Sequence, residues 1–232
     1  MSVDAARRGA LVAVSAAHLK FAYHVRYELL EFAVYLLAAR TQALVPLHAA
    51  CVGHEGRGAL LLGASGAGKS TFMVESLAQG LEFLAEDSVL VQPRSLRATG
   101  VANFLHLRAD SLRFVTSAAL ARHIRNSPVI RRRSGARKFE LDLRRPGLRL
   151  ARAPQQLRAL VFLSAAPARG RLLRPLTPQA ARTRLIAGQP YAASQAGWQE
   201  FLVRAMQLPS FELRRAAHPR VAVDAVAQLL QR

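Results

Sequence analysis

Eight residues constrain this chain more than all the others: Gly63-Ala64-Ser65-Gly66-Ala67-Gly68-Lys69-Ser70 fits the pattern G-x-x-x-x-G-K-[ST]. With 14 glycines and three lysines in 232 residues, a chance match anywhere in the chain has odds of roughly one in a thousand. The apolar run 59–62 before it reads as a strand, and 71–79 after it as a helix that Gly80 stops, since glycine accepts a left-handed backbone without steric cost. Strand, glycine-rich loop and helix are the context in which such a loop folds around phosphates.

The chemistry follows from the residue types. Glycines let successive N–H groups point inward at phosphate oxygens, and the helix N-terminus adds partial positive charge. Lys69 is placed to reach the β- and γ-phosphates, Ser70 to ligate magnesium, and Thr71 completes a nucleotide-binding set running from Gly63 to Thr71. ATP or GTP binding with Mg2+ is therefore expected. Phosphoryl transfer also needs a carboxylate for the metal and a base beside the acceptor hydroxyl. Glu86 and Asp87 supply that pair at the end of the apolar segment 81–85, where α/β sheets gather ligand sites at strand carboxyl ends.

Elsewhere strands and helices alternate, which predicts an α/β fold with a mixed sheet. Phe21, Val25, Leu29, Phe32 and Leu36 recur at helical spacing and predict a packing helix over 21–40. Strands are expected at 47–52, 59–62, 81–85, 89–92, 138–143, 157–163 and 210–213, with a tight glycine-rich connection at 53–58. Helices are expected at 108–125, 178–187, 193–206 and 221–230, and 167–178 reads as a surface loop. No repeat or linker divides the chain, so one domain is expected, with 1–44 as an N-terminal packing region and 45–232 as the P-loop domain.

Charge adds a second constraint. There are 33 basic and 14 acidic residues for a net charge of +19, and all but three of the basic residues are arginines. Carboxylates are scarce enough that each one needs a reason. A surface this basic attracts phosphates and anionic partners. Specific nucleic-acid binding is not expected, because no aromatic-interleaved basic stretch, zinc spacing or helix-turn-helix signature accompanies the charge. Arg131, Arg132, Arg133, Arg137 and Lys138 form the densest basic patch, able to hold nucleotide phosphates or an acidic substrate segment. Cys51 is the single cysteine, which excludes an internal disulfide, fits a reducing cytoplasm and reads as a buried thiol. The longest apolar stretch, 21–39, carries Arg26, Glu28 and Glu31, so no membrane span is expected.

Leu47-His48-Ala49-Ala50, the glycine-rich loop, and Leu84-Ala85-Glu86-Asp87-Ser88-Val89 together resemble the catalytic domain of HPr kinase/phosphorylase and the related bacterial serine kinases. The resemblance is specific over about 45–91, generic beyond it apart from the Phe211-Glu212-Leu213 strand and final helix, and does not reach the first forty residues. It implies the P-loop fold shared with phosphoenolpyruvate carboxykinases and transfer of the γ-phosphoryl group of ATP to a serine hydroxyl. Lys69 and Ser70 would serve nucleotide and metal, Glu86 would stand near the attacking hydroxyl, Asp87 would take the second acidic position and the metal, and His48 would lie at the edge. Glu86 replaces the family's first aspartate, which leaves open which carboxylate is the base.

The family's separate N-terminal domain has no room before His48, and its E-I-R-G-L-G segment, associated with HPr recognition and dephosphorylation, is not found. Both departures imply a stand-alone kinase acting on a small protein or peptide, with a lasso-peptide precursor favoured over HPr. Its basic surface suggests an acidic peptide. The family's ring-like hexamers make a homo-oligomer one outcome to expect. The alternatives are an HPr serine kinase, a P-loop small-molecule kinase, and a nucleotide-responsive binding module with an arginine surface.

Overall fold

The computed structural model of the chain describes residues 1–64, 66–100, 103–132, 135–145 and 147–231. A hairpin of β1 (Ser2–Asp4) and β2 (Gly9–Leu11) leads through α1 (Ala16–Leu19) and a π-helical stretch (His24–Glu31) into α2 (Phe32–Thr41). Then come β3 (Val45–Leu47), β4 (Ala50–His54), β5 (Arg57–Leu62), α3 (Lys69–Ala78), β6 (Glu82–Ala85), β7 (Val89–Val91), β8 (Arg97–Gly100) and β9 (Phe104–Leu107). After a 3-10 turn (Ala109–Phe114) the chain forms α4 (Ala118–Arg125), β10 (Val129–Arg131), β11 (Arg137–Asp142) and the long β12 (Gln155–Pro167). It closes with β13 (Leu173–Pro175), α5 (Pro178–Gly188), α6 (Trp198–Ala205), β14 (Ser210–Arg215) and α7 (Pro219–Gln231).

The α/β class and the mixed sheet are as the sequence predicts. Nine strands make the main sheet, with β12 at its centre: β5 and β14 flank it in parallel, while β8 pairs antiparallel with its first residues and carries β7 and β3. Side chains alternate across these strands, as the pleat requires. Ala59, Leu61, Ala159 and Val161 face a core shared with Phe72, Met73, Val223 and Val226 of α3 and α7. Leu60, Leu62, Leu160 and Phe162 face the opposite core, closed by Leu185 of α5 and Trp198 and Phe201 of α6. Helices on both faces explain why β5 and β12 are nearly continuous apolar runs. β10, β11 and β9 form a smaller antiparallel sheet. Among the described residues no helix is long and apolar enough to cross a membrane.

Several expected elements break where polar side chains find partners. The run 47–52 splits at His48, because β3 pairs with β7 while β4 pairs with β5 and β6. The helix expected over 108–125 becomes a 3-10 turn and α4. Buried Glu75 of α3 accepts from the Thr116 hydroxyl at 2.9 Å, and Ser117 caps α4 by accepting from the Leu120 N–H at 3.2 Å. The helix over 193–206 shortens to start at Trp198, behind Gly197 at φ +83°. The loop over 167–178 contains β13, which pairs with β14.

The packing helix over 21–40 also differs. Phe21 and Phe32 are exposed, whereas Ala33, Tyr35, Leu36 and Ala39 are buried. The i→i+5 turns of 24–31 carry each side chain less far round the axis, so three-residue spacing no longer marks one face there.

Candidate functional site

β4 runs antiparallel to both β5 and β6, so those two strands point the same way. β12 and β14 run parallel to β5, and the carboxyl ends of all four open on one edge of the sheet. The glycine-rich loop leaves β5 at this edge. Gly66 and Gly68 adopt φ of +83° and +99°, left-handed values that a side chain would strain, and Gly68 stands at the N-terminus of α3. Strand, loop and helix thus have the P-loop arrangement. Ser65 lies outside the described residues. Lys69 is buried, and its ammonium donates to the Gly63 carbonyl at 2.7 Å. Burial lowers its pKa, while Asp87 and Glu86 oppose the shift.

Sixteen residues separate Ser70 from Glu86 in sequence, yet the Ser70 hydroxyl donates to a Glu86 carboxylate oxygen. The second oxygen of Glu86 accepts the His106 N–H at 3.2 Å. Burial pushes the Glu86 carboxyl up to about 7, and the adjacent Asp87 adds to the shift. Asp87 itself is exposed at the mouth of the site. A serine hydroxyl beside two carboxylates is a set of hard oxygen donors that fits Mg2+.

His48 stands between β3 and β4. Its Nδ1 lies 3.1 Å from the Asp87 carbonyl, which can only accept, so Nδ1 is the donor of that contact. The Gln189 side chain holds the His48 backbone from both sides, accepting its N–H at 2.8 Å and donating to its carbonyl at 2.9 Å. Gln189 lies 141 residues away, and nothing in the sequence pointed to it.

The basic patch divides. Arg131 and Arg137 face each other across the β10–β11 hairpin and are exposed. Arg132 turns inward over the Tyr23 ring, 5.3 Å from its centroid. Lys138 is half-buried, and desolvation first and Arg132 second lower its pKa against the pull of Glu86 and Asp87. Arg133 lies outside the described residues.

Behind Glu86 runs a polar chain that the sequence reading missed. His106 carries Glu86 on its backbone and packs its ring edge-on to Tyr27 at 4.6 Å. Burial holds the imidazole near a pKa of about 4, so it is neutral at physiological pH and its 3.7 Å approach to Glu140 is not an ion pair. Buried Glu140 instead accepts from Arg26 Nη1 at 3.1 and 3.2 Å and from the Tyr27 hydroxyl. The N-terminal segment is thereby tied to β11, which pairs with β9, the strand whose His106 N–H supports Glu86.

Two cavities open here, one against the carboxylate pair and one against the loop. One, of about 590 Å³, holds Glu86, Asp87 and His48 on one side and Tyr23, Tyr27 and Tyr35 on the other. The second, of about 410 Å³, is lined by Gly66, Gly68 and Thr71 together with Arg113, Arg214 and Arg215. A P-loop at the carboxyl edge of a mixed α/β sheet, with a carboxylate pair at hand, is the class of site that this fold defines.

No family model matches the chain. No curated protein matches it either. Among solved structures it is similar to the Hpr(Ser) kinase/phosphatase from Coxiella burnetii, at 12% identity and a TM-score of 0.36 over 80% of this chain and 88% of that one. The fold assignment rests on the strand order and loop geometry above.

Proposed function

We propose that the chain is an ATP- and Mg2+-dependent serine kinase related to HPr kinase, acting on a small protein or peptide, with a lasso-peptide precursor as the favoured substrate. The observation that carries this reading is the meeting of Ser70, Glu86 and Asp87 beside Lys69, with one cavity against the carboxylates and another against the loop. Loop N–H groups and Lys69 bind and orient the phosphates, and the arginine-lined cavity receives the rest of the nucleotide. Ser70 and Glu86, already in contact, would hold Mg2+ with Asp87 adjacent, and the metal would offset phosphate charge.

The acceptor serine enters from the tyrosine-lined cavity. Its oxygen forms a bond to the γ-phosphorus as the bridging bond to ADP breaks, and its proton passes to Asp87, the carboxylate exposed to that cavity. Glu86 is buried and engaged by Ser70, which suits it to positioning and metal holding. His48 lies at the rim, where its imidazole can hydrogen-bond the incoming segment. Little covalent work falls to the protein, so positioning and electrostatics supply most of the rate.

The test is the intact mass of a serine-bearing precursor peptide, and of HPr, after incubation with the protein and Mg-ATP, with Lys69→Ala in parallel. Phosphate on the peptide, absent with the variant, supports the reading. Unchanged masses for both acceptors would overturn it.

A further inference from the structure

The cavity on the Glu86 side has a polarity opposite to that of the chain around it. Glu28, Glu31, Glu86 and Asp87 line it against a single arginine, Arg132, in a chain with 33 basic and 14 acidic residues. Three of the four carboxylates are engaged: Glu28 with His24, Glu86 with Ser70 and the His106 N–H, and Asp87 in the field of Lys69 and Lys138. Arg132 is stacked on Tyr23. Among the described residues the Glu31 side chain has neither an ion-pair nor a hydrogen-bond partner.

The walls are aromatic. Tyr23, Tyr27, Phe32, Tyr35 and Tyr191 surround these charges, and ring faces attract cations more strongly where water is thinned out. A carboxylate partly desolvated among rings carries a cost that an incoming cation offsets. Burial first, and Asp87 second, already push the Glu31 carboxyl above its ordinary range. A neutral or acidic segment would leave that cost in place.

We propose that this cavity receives a cationic peptide segment: the acceptor serine is flanked by a lysine or arginine whose charge rests against Glu31 beneath the tyrosine rings. The inference rests on the kinase reading above and names its acceptor. It reverses the expectation that a basic chain selects an acidic peptide. Net charge governs the distant field, but the cavity's own carboxylates govern the contact.

The test uses fluorescent serine peptides of one length whose flanking residues are basic, neutral or acidic, with anisotropy reading binding and intact mass reading phosphate. Basic peptides should bind and react about tenfold better than acidic ones, the worth of one charge-assisted hydrogen bond. Glu31→Gln should remove most of that preference, and Glu31→Arg should turn it toward acidic flanks. Phosphorylation indifferent to flanking charge, or a basic preference that survives Glu31→Arg, would overturn the inference while leaving the kinase reading intact. Basic peptides that bind without ever gaining phosphate would overturn the kinase reading, and the acceptor role with it. Selective capture of small hydroxyl-bearing amines in place of any peptide would overturn it in favour of a metabolite acceptor.

Discussion

The two cavities, one against the glycine-rich loop and one against the carboxylate pair, have almost nothing in common. One is lined by arginines, loop glycines and Phe114, with no carboxylate among its described lining residues. The other gathers four of the chain's scarce acidic residues under tyrosine rings. A net charge of +19 thus conceals a local change of sign between the two cavities. Such an arrangement suits a transfer with direction, in which an anionic donor sits on one side and a cationic acceptor on the other, where the carboxylate pair also stands.

Removing the loop's lysine should have the largest effect. Lys69→Ala is expected to abolish phosphoryl transfer while circular dichroism and the melting temperature change little, because the ammonium bonds the loop's own Gly63 carbonyl and no distant element. Asp87→Asn follows, with kcat expected to fall on the order of a thousandfold if this exposed carboxylate takes the serine proton. On the arginine side, Arg215→Ala should raise KM for ATP about tenfold with kcat nearly unchanged, the mark of a group that binds ground state and transition state alike. If Arg215→Ala raises KM for the peptide instead, the cavities have been assigned the wrong way round.

The acidic side can also be loosened from behind. Glu140 joins Arg26 and Tyr27 of the N-terminal segment to β11, which pairs with the strand beneath Glu86. Glu140→Ala should cost about 1–3 kcal/mol in urea denaturation, modest for a buried group because Arg26 is half exposed and regains water. Peptide KM should rise more than ATP KM. Smallest of all is the effect at Cys51, whose thiol burial pushes up to about 12: a thiol reagent at mild alkaline pH should leave the folded protein unmodified and label it fully in denaturant.

Residues 57–91 were legible from sequence because local signals there agree with the fold. The apolar run, the glycine pattern, the helix stop at Gly80 with φ +78° and the acidic pair after β6 all depend on neighbours in the chain. The tight glycine-rich connection at 53–58 turns out to be a hairpin whose two-residue turn, Glu55 and Gly56, has positive φ at both positions. What sequence could not show depends on distant partners. Thr116 is pulled out of a helix by Glu75, His48 is held by Gln189, and His106 acquires its place only when β9 pairs with β11 beside Tyr27. The N-terminal segment was read as packing because its apolar residues fell at α-helical spacing. Its π-helical turns put Tyr23, Tyr27 and Glu31 toward the cavity instead. One signal was available: where carboxylates are rare, Glu28 and Glu31 three residues apart in an apolar segment asked for an explanation that packing did not provide.

The division of labour between the cavities is tested most directly by photolabelling the intact protein with 8-azido-ATP and Mg2+, followed by peptide mapping. The account expects adducts on the peptides carrying Arg113 and Phe114 or Arg214 to Ala217, with Lys69→Ala reducing the yield. Adducts concentrated on Tyr23, Tyr27 or Tyr191 would place the nucleotide in the acidic cavity and contradict it.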